Sequence, residues 1–350
     1  MKLRIISRAL FALGLSVAAA FAAAATAASP VAPAAAVLPH FKVDKAATTV
    51  SGLSSGAFMA VQMQVAYSAS IQGAGVVAGG PYYCAAGNML YAGICMGQVM
   101  FMPPNPSLMV KAAKGFAAAG QIDALSNLKK RRVYVFSGTQ DLVVRQPAVD
   151  ATVSFFQQIG VDGERLQYIN KVPAGHAVIT PGFGNGCTAN LPPFISHCEV
   201  DGQSYDQAGA LLTHLYGPMQ PKAASADGQL LRFNQRKYAA SVTGMAEEAY
   251  LYVPKSCAAG ETCRVHVALH GCAQSAEAVG EDFVAHTGYN EWAETNHLLV
   301  LYPQVNKSAV PFNPQGCWDW IGSTGPGYAT KAGLQPKAIK SMIDALGRAR

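Results

Sequence analysis

Charged side chains are scarce in this 350-residue chain: Asp, Glu, Lys and Arg make up 13% of it, against 51% apolar residues. A long chain of that balance buries a core, and disorder is excluded for most of its length. The formal net charge is only +6, and half of the excess lies on Lys2, Arg4 and Arg8. So mild a balance gives no case for a nucleic-acid partner. No CxxC pair and no cysteine–histidine cluster at zinc spacing occurs, so the cysteines do not read as a metal site. A strongly apolar run fit to stay in a membrane is missing as well. The apolar stretch near the start, Ala9 to Ala20, is alanine-rich and only weakly hydrophobic.

That stretch has another use. Lys2, Arg4 and Arg8 precede it and Ala25-Thr26-Ala27 follows it, which is the basic, apolar and small-residue order of a cleaved signal peptide over residues 1–27. The rival is an uncleaved anchor, which the weak hydrophobicity and the cleavage signal disfavour. Residues 28–45 read as a flexible leader, Ala/Pro-rich as far as Val37. The rest, 46–350, reads as one α/β domain, because only Pro221 to Asp227 resembles a linker. Eight cysteines in an exported chain point to disulfides. Local spacing suggests Cys84–Cys95, Cys187–Cys198 and Cys257–Cys263, which leaves Cys272 with Cys317.

The most informative stretch is Gly52-Leu53-Ser54-Ser55-Gly56, a GxSxG pentapeptide. A β-branched run, Thr48 to Val50, leads into it, and Phe58, Val61 and Val65 follow at helical spacing. A strand that turns sharply into a helix is the setting of a nucleophile elbow, with Ser54 held exposed as the nucleophile. A Gly/Ser-rich loop is the bland alternative.

Further on, Arg132 to Phe136 reads as a strand and runs into Ser137-Gly138-Thr139-Gln140-Asp141. Asp141 therefore stands at a strand's carboxyl end, where open α/β sheets carry functional groups. It equally suits a cap for the next helix, Gln146 to Ile159. A strand at Leu166 to Val172 leads to Gly175-His176. The order Ser54, Asp141, His176 is that of an α/β-hydrolase triad.

In the second half, Glu248–Val253, Cys263–Leu269 and Leu298–Tyr302 read as strands. A helix is expected around Glu281–Asn296 and a closing one around Pro336–Arg348. The Cys263 strand ends in His270-Gly271-Cys272, the form of an oxyanion-hole loop, which α/β-hydrolases place upstream of the nucleophile. Here it lies far downstream. Joining the closing helix to the Thr48 strand restores the usual order, so the fold class expected is a circularly permuted α/β-hydrolase: a mostly parallel sheet flanked by helices and stabilised by disulfides. A separate second domain carrying His270-Gly271 is the alternative.

Taken together, the GxSxG box near the start, Asp141, His176, Leu269-His270-Gly271-Cys272 and Gly316-Cys317-Trp318-Asp319-Trp320 resemble the catalytic domain of polyhydroxybutyrate depolymerases of the permuted type. The resemblance runs from about Ala46 to Arg348. It implies an exported, secreted or periplasmic, serine esterase acting on poly(3-hydroxybutyrate) or related hydroxyalkanoate oligomers through an acyl-enzyme. It also implies backbone N–H groups of Ser55 and Cys272 as oxyanion donors and a tryptophan, Trp318 or Trp320, against the polymer. His270 is expected near substrate or as a residue that positions its loop. No metal or organic cofactor is implied. The expected partner is the polyester itself, with no nucleic acid, no stable membrane insertion after signal removal, and a monomeric state. Many relatives carry a linker and a polymer-binding domain after the catalytic one, and none is expected within these 350 residues. The alternatives are a feruloyl or acetyl-xylan esterase using the same triad, and a catalytically silent polymer-binding protein.

Overall fold

A computed structural model describes residues 37–239 and 241–347. The signal peptide expected at 1–27 and the leader residues 28–36 lie outside it. Runs of β-branched and aliphatic residues form the eight strands of the main sheet: β1 (Val43–Leu53), β2 (Ile71–Val77), β3 (Arg132–Phe136), β4 (Leu166–Ile169), β5 (Gln229–Asn234), β6 (Glu248–Val253), β7 (Cys263–Leu269) and β8 (Leu298–Tyr302). They make one sheet in the order β5-β6-β8-β7-β1-β2-β3-β4. Every pairing from β8 to β4 is parallel, whereas β6 runs antiparallel to both β5 and β8.

Parallel strands need cover on both faces, and their sequences read as nearly continuous apolar runs for that reason. Val50, Val76, Val133, Val135, Val265, Val267, Leu299 and Leu301 are fully buried. The cover comes from helices α1 (Ser55–Ala66), α2 (Pro106–Ala118), α3 (Gln146–Ile159), α4 (Gln207–Tyr216), α5 (Asp282–His286), α6 (Tyr289–Thr295) and α7 (Leu334–Leu346). Helix α1 is buried along all twelve residues, which makes it a core element with no solvent face. Each large apolar side chain buried in this way contributes about 1.5–3 kcal/mol relative to exposure.

The sheet order explains the displaced oxyanion motif. Strand β7 lies beside β1 in parallel, with Val267 opposite Val50 and Leu269 opposite Gly52. The loop after β7 and the loop after β1 therefore emerge at the same sheet edge, although more than two hundred residues separate them in sequence. The end of α7 touches the lead into β1: Phe41 N–H donates to Leu346 O at 2.8 Å, and His40 Nδ1 donates to Ala345 O at 2.8 Å. The described ends thus meet where the permuted order requires them to.

Two expectations change. Leader residues 37–45 are not loose: Leu38 is 1% exposed and β1 begins at Val43, five residues before the β-branched run. The lead is held because it packs on the end of α7. The single helix expected over Glu281–Asn296 is two short ones, α5 and α6, divided at Gly288, whose φ of 85° leaves helical geometry. The cysteines are bridged as Cys84–Cys95, Cys187–Cys198, Cys257–Cys263 and Cys272–Cys317. Among the described residues, no helix is long and apolar enough to cross a membrane.

Candidate active site

The turn from β1 into α1 is sharp enough to force backbone onto backbone. A Cβ on Gly56 would stand 2.3 Å from Leu269 O, and one on Gly52 would stand 2.4 Å from Gly56 C. Only glycine fits at either place. Between them Ser54 takes φ 57°, ψ −123°, a region that costs a non-glycine residue about 1–3 kcal/mol and is held only by surrounding structure. Ser54 N–H is fixed to Val77 O at 3.0 Å. Its side chain makes no capping bond to α1, so the hydroxyl stays on the cleft.

The loop after β3 carries Asp141, and its carboxylate is used on both oxygens. Oδ1 accepts Val143 N–H at 2.8 Å and Val144 N–H at 2.9 Å, and Oδ2 accepts His176 Nδ1–H at 2.8 Å. The turn-forming role and the histidine-orienting role are therefore served at once. Both side chains are almost wholly buried. With the proton on Nδ1, Nε2 is left as a base. Asn190 ties the two loops together, accepting the N–H of His176 and that of Leu142 at 2.9 Å each and donating to Gln140 O at 3.0 Å. Sequence reasoning missed Asn190. Its only signal was its place in the short loop between Cys187 and Cys198.

The loop after β7 closes the other side. A Cβ on Gly271 would lie 3.3 Å from Ser54 Cβ, so this backbone rests against the elbow. The Cys272–Cys317 bridge joins it to the segment carrying the tryptophans. Trp318 N–H donates to Ser55 Oγ at 3.2 Å. Asp319, buried, accepts the N–H groups of Ile321, Gly322, Ser323 and Thr324, which wraps the following turn around its carboxylate.

Ser54, Ser55, His176, Cys272 and Trp320 line one cleft of about 110 Å³, walled further by Phe58, Val143, Val144, Met96 and Phe194. A pocket of about 390 Å³, lined by Tyr83, Cys84, Tyr91, Ile94, Met102 and Leu108 among others, opens in the segment between β2 and α2. It is larger, but it holds no nucleophile or base, so the smaller cleft is the candidate site.

Of the residues offered for substrate contact, Trp318 and His270 do not line the cleft. Trp318 is 1% exposed and packs on the His270 ring at 5.5 Å. His270 is fully buried: its Nε2 accepts Val305 N–H at 3.0 Å and its Nδ1 donates to Gly271 O at 2.7 Å. Burial pushes its pKa down to about 4, so it is neutral at ordinary pH and belongs to the frame of the loop. The loop sequence alone does not show which of the two tryptophans turns inward, and it left His270 either near substrate or positioning its loop. Trp320 does reach the cleft, stacked on Phe58.

The arrangement can activate a serine hydroxyl, orient the base that does so, and offer backbone N–H donors beside it, which are the parts of acyl transfer. No protein-family model matches the chain. It is 43% identical over 313 residues to a poly(3-hydroxybutyrate) depolymerase of Delftia acidovorans, an alignment covering 88% of this chain and 61% of that protein. This chain therefore spans about three fifths of that relative's length. A polyhydroxybutyrate depolymerase of Talaromyces funiculosus is 38% identical over 328 residues, covering 89% of this chain and 92% of that one. Among solved structures, a PHB depolymerase from Penicillium funiculosum superposes with a TM-score of 0.80 at 34% identity, covering 89% of this chain and 98% of the other. A serine-to-alanine variant of PHB depolymerase complexed with an R3HB trimer gives a TM-score of 0.79 at 34% identity.

Proposed function

The chain belongs to the polyhydroxybutyrate depolymerase family, and we propose that it hydrolyses poly(3-hydroxybutyrate) and its oligomers through an acyl-enzyme on Ser54. His176 Nε2 takes the Ser54 hydroxyl proton as Oγ attacks the ester carbonyl. Asp141 holds the imidazole in the tautomer that leaves Nε2 free and stabilises the imidazolium that forms. The N–H groups of Ser55 and Cys272 donate to the carbonyl oxygen as negative charge develops on it, and each such donor is worth on the order of 10²–10³ in rate. The imidazolium then protonates the departing alkoxide, which leaves as the hydroxyl end of the shortened chain. Water, deprotonated by His176, releases the acyl half as a carboxylate and restores Ser54. The observation that carries this reading is the 2.8 Å His176–Asp141 pair set in one cleft with a strained, uncapped Ser54.

The cleft walls suit a methyl-bearing ester chain: Trp320, Phe58, Val143 and Phe194 offer apolar surface, and no charge other than the His176–Asp141 pair is used. The wider surface fits a solid substrate. Residues 46–110 contain no Asp, Glu, Lys or Arg. The part of that segment that supplies Met96 to the cleft also exposes Leu90 at 85% and Phe101 at 95%. The protein works outside the cytoplasm, a reading supported by the four disulfides and by the signal-like residues 1–27.

The test is to incubate the purified protein, in parallel, with 3-hydroxybutyrate trimer, amorphous polymer granules and feruloyl esters, beside Ser54→Ala. Soluble hydroxybutyrate products from the first two, abolished in Ser54→Ala, are expected. Release of ferulate with no hydroxybutyrate product would defeat the substrate assignment, and full activity in Ser54→Ala would defeat the mechanism.

A further inference from the structure

The two N–H groups read as oxyanion donors are held in different ways. Ser55 stands in the first turn of α1, where helix geometry itself leaves the N–H without an intrahelical acceptor. Cys272 lies in irregular backbone, followed by Ala273 at φ 52°, so no regular element sets the direction of its N–H. Side chains do so instead, and they act on Gly271. Gln274 Oε1 accepts Gly271 N–H at 2.7 Å, and His270 Nδ1 donates to Gly271 O at 2.7 Å. The carbonyl of Gly271 and the N–H of Cys272 belong to one planar trans peptide and point in opposite directions. A carbonyl drawn inward to His270 therefore turns the Cys272 N–H outward, on the side where Cys272 lines the cleft with Ser54.

The histidine can make this bond in one tautomer only. Its Nε2 already accepts Val305 N–H at 3.0 Å, from the segment that follows β8, so the proton must sit on Nδ1. Burial of the ring keeps it neutral, with both nitrogens satisfied. Gln274 is equally committed: it is fully buried, and its Nε2 donates to Pro193 O at 2.9 Å and Phe194 O at 3.0 Å. Phe194 in turn meets the His176 ring edge-on at 5.9 Å. One amide thus spans from the loop of the oxyanion donor to the wall behind the base.

We propose that His270 and Gln274 are positioning residues that clamp Gly271 at its carbonyl and its N–H, so that the N–H of Cys272 is aimed at the developing oxyanion. The inference rests on the reading of Cys272 as a donor. Neither side chain touches substrate, so both act through the peptide they hold. Their loss should appear in the transition state and leave ground-state binding nearly alone.

The experiment compares the parent protein with His270→Phe, His270→Gln and Gln274→Met on hydroxybutyrate trimer. It also measures affinity for an alkylboronic acid, which forms a tetrahedral adduct on Ser54. His270→Phe should lower kcat by roughly 10²-fold, the scale of one lost oxyanion donor, with KM changed less than threefold. Boronate affinity should fall in parallel with kcat. His270→Gln, whose amide can still donate to Gly271 O, should recover part of the loss. A folded His270→Phe protein with undiminished kcat, or with unchanged boronate affinity, overturns the role of His270. The same outcomes in Gln274→Met overturn that of Gln274. In the parent protein, the Cys272 amide proton should move downfield on boronate binding. An unmoved signal there defeats the reading of Cys272 as donor, an outcome distinct from a failure of the clamp alone.

Discussion

Trp320 stacks on Phe58 with ring centroids 4.6 Å apart and planes 27° from parallel. One ring belongs to the elbow helix, four residues past Ser54, and the other to the disulfide-anchored turn far along the chain. The apolar wall of the cleft is thus assembled from both ends of the sequence. It depends on the Asp319 turn and on Gln62 Nε2, which donates to Asp319 O at 3.0 Å. Removing Trp320 deletes half of the wall and uncovers Phe58. An aromatic pair of this kind is worth about 0.5–1.5 kcal/mol beyond its buried area. Trp320→Ala is therefore expected to raise KM for hydroxybutyrate trimer up to about tenfold, since about 1.4 kcal/mol is a factor of ten. The kcat on a short acetate ester, which does not span the wall, should stay near that of the parent. Equal losses on both substrates would show that the ring supports the fold and does not face substrate.

Asp141→Asn separates the two duties of that carboxylate. The amide oxygen can still accept from Val143 and Val144, so the turn and the thermal midpoint should change little. Facing His176, however, an amide N–H favours the wrong imidazole tautomer, and kcat should fall on the order of 10⁴-fold, as in triads generally. Steady-state kinetics beside a melting curve decides the matter. A Tm lowered in proportion to the activity would mean that Asp141 serves the turn alone.

The strands were largely legible. β3, β6, β7 and β8 lie where the apolar and β-branched runs put them, because a buried parallel strand leaves little choice of residue. β5 was missed: Gln229-Leu230-Leu231-Arg232-Phe233-Asn234 is an edge strand with polar ends and weak alternation. That Ser54, Asp141 and His176 come together could be read because strand ends fix where such residues stand. Asn190 and Gln274 could not. Their roles lie in hydrogen bonds to backbone groups tens of residues away, and a polar loop residue carries no local mark of its partner. Trp318 and Trp320 were indistinguishable for the same reason, since only the wrapped turn around Asp319 decides which ring enters the cleft.

Acid should weaken the fold in a defined window. His266 is fully buried between Thr49 Oγ1 and Ser51 Oγ, each 2.7 Å from a ring nitrogen, and burial pushes its pKa down to about 3. His270 is pushed down to about 4. In the unfolded chain both titrate near pH ~6.5. Above that pH neither state holds the extra protons. As the pH falls from 6.5 toward 4, the unfolded state binds protons that the folded state refuses, so stability drops. The slope approaches about 1.4 kcal/mol per pH unit for each histidine. Urea midpoints at pH 7.5 and pH 5 measure the effect, and the midpoint should be clearly lower at pH 5. His266→Gln should flatten the slope by about half, whereas equal midpoints at the two pH values would show that these rings are charged in the fold.

Attachment to solid polymer should be separable from catalysis. Leu90 and Phe101 project from a segment without a charged residue, and neither lines the cleft. A water-exposed apolar patch of this kind favours contact with an uncharged, methyl-rich surface. Each large apolar side chain transferred from water contributes about 1.5–3 kcal/mol when fully covered. Leu90→Ser with Phe101→Ser should therefore reduce binding to polymer granules by at least about tenfold in a sedimentation assay, even if contact covers only part of each side chain. Turnover of soluble trimer should be unchanged, because Ser54, His176 and the wall around them are untouched. The two readouts diverge only if the patch acts as a surface contact. Undiminished granule binding would place attachment elsewhere on the molecule, and a parallel loss on trimer would mean that the segment shapes the cleft itself.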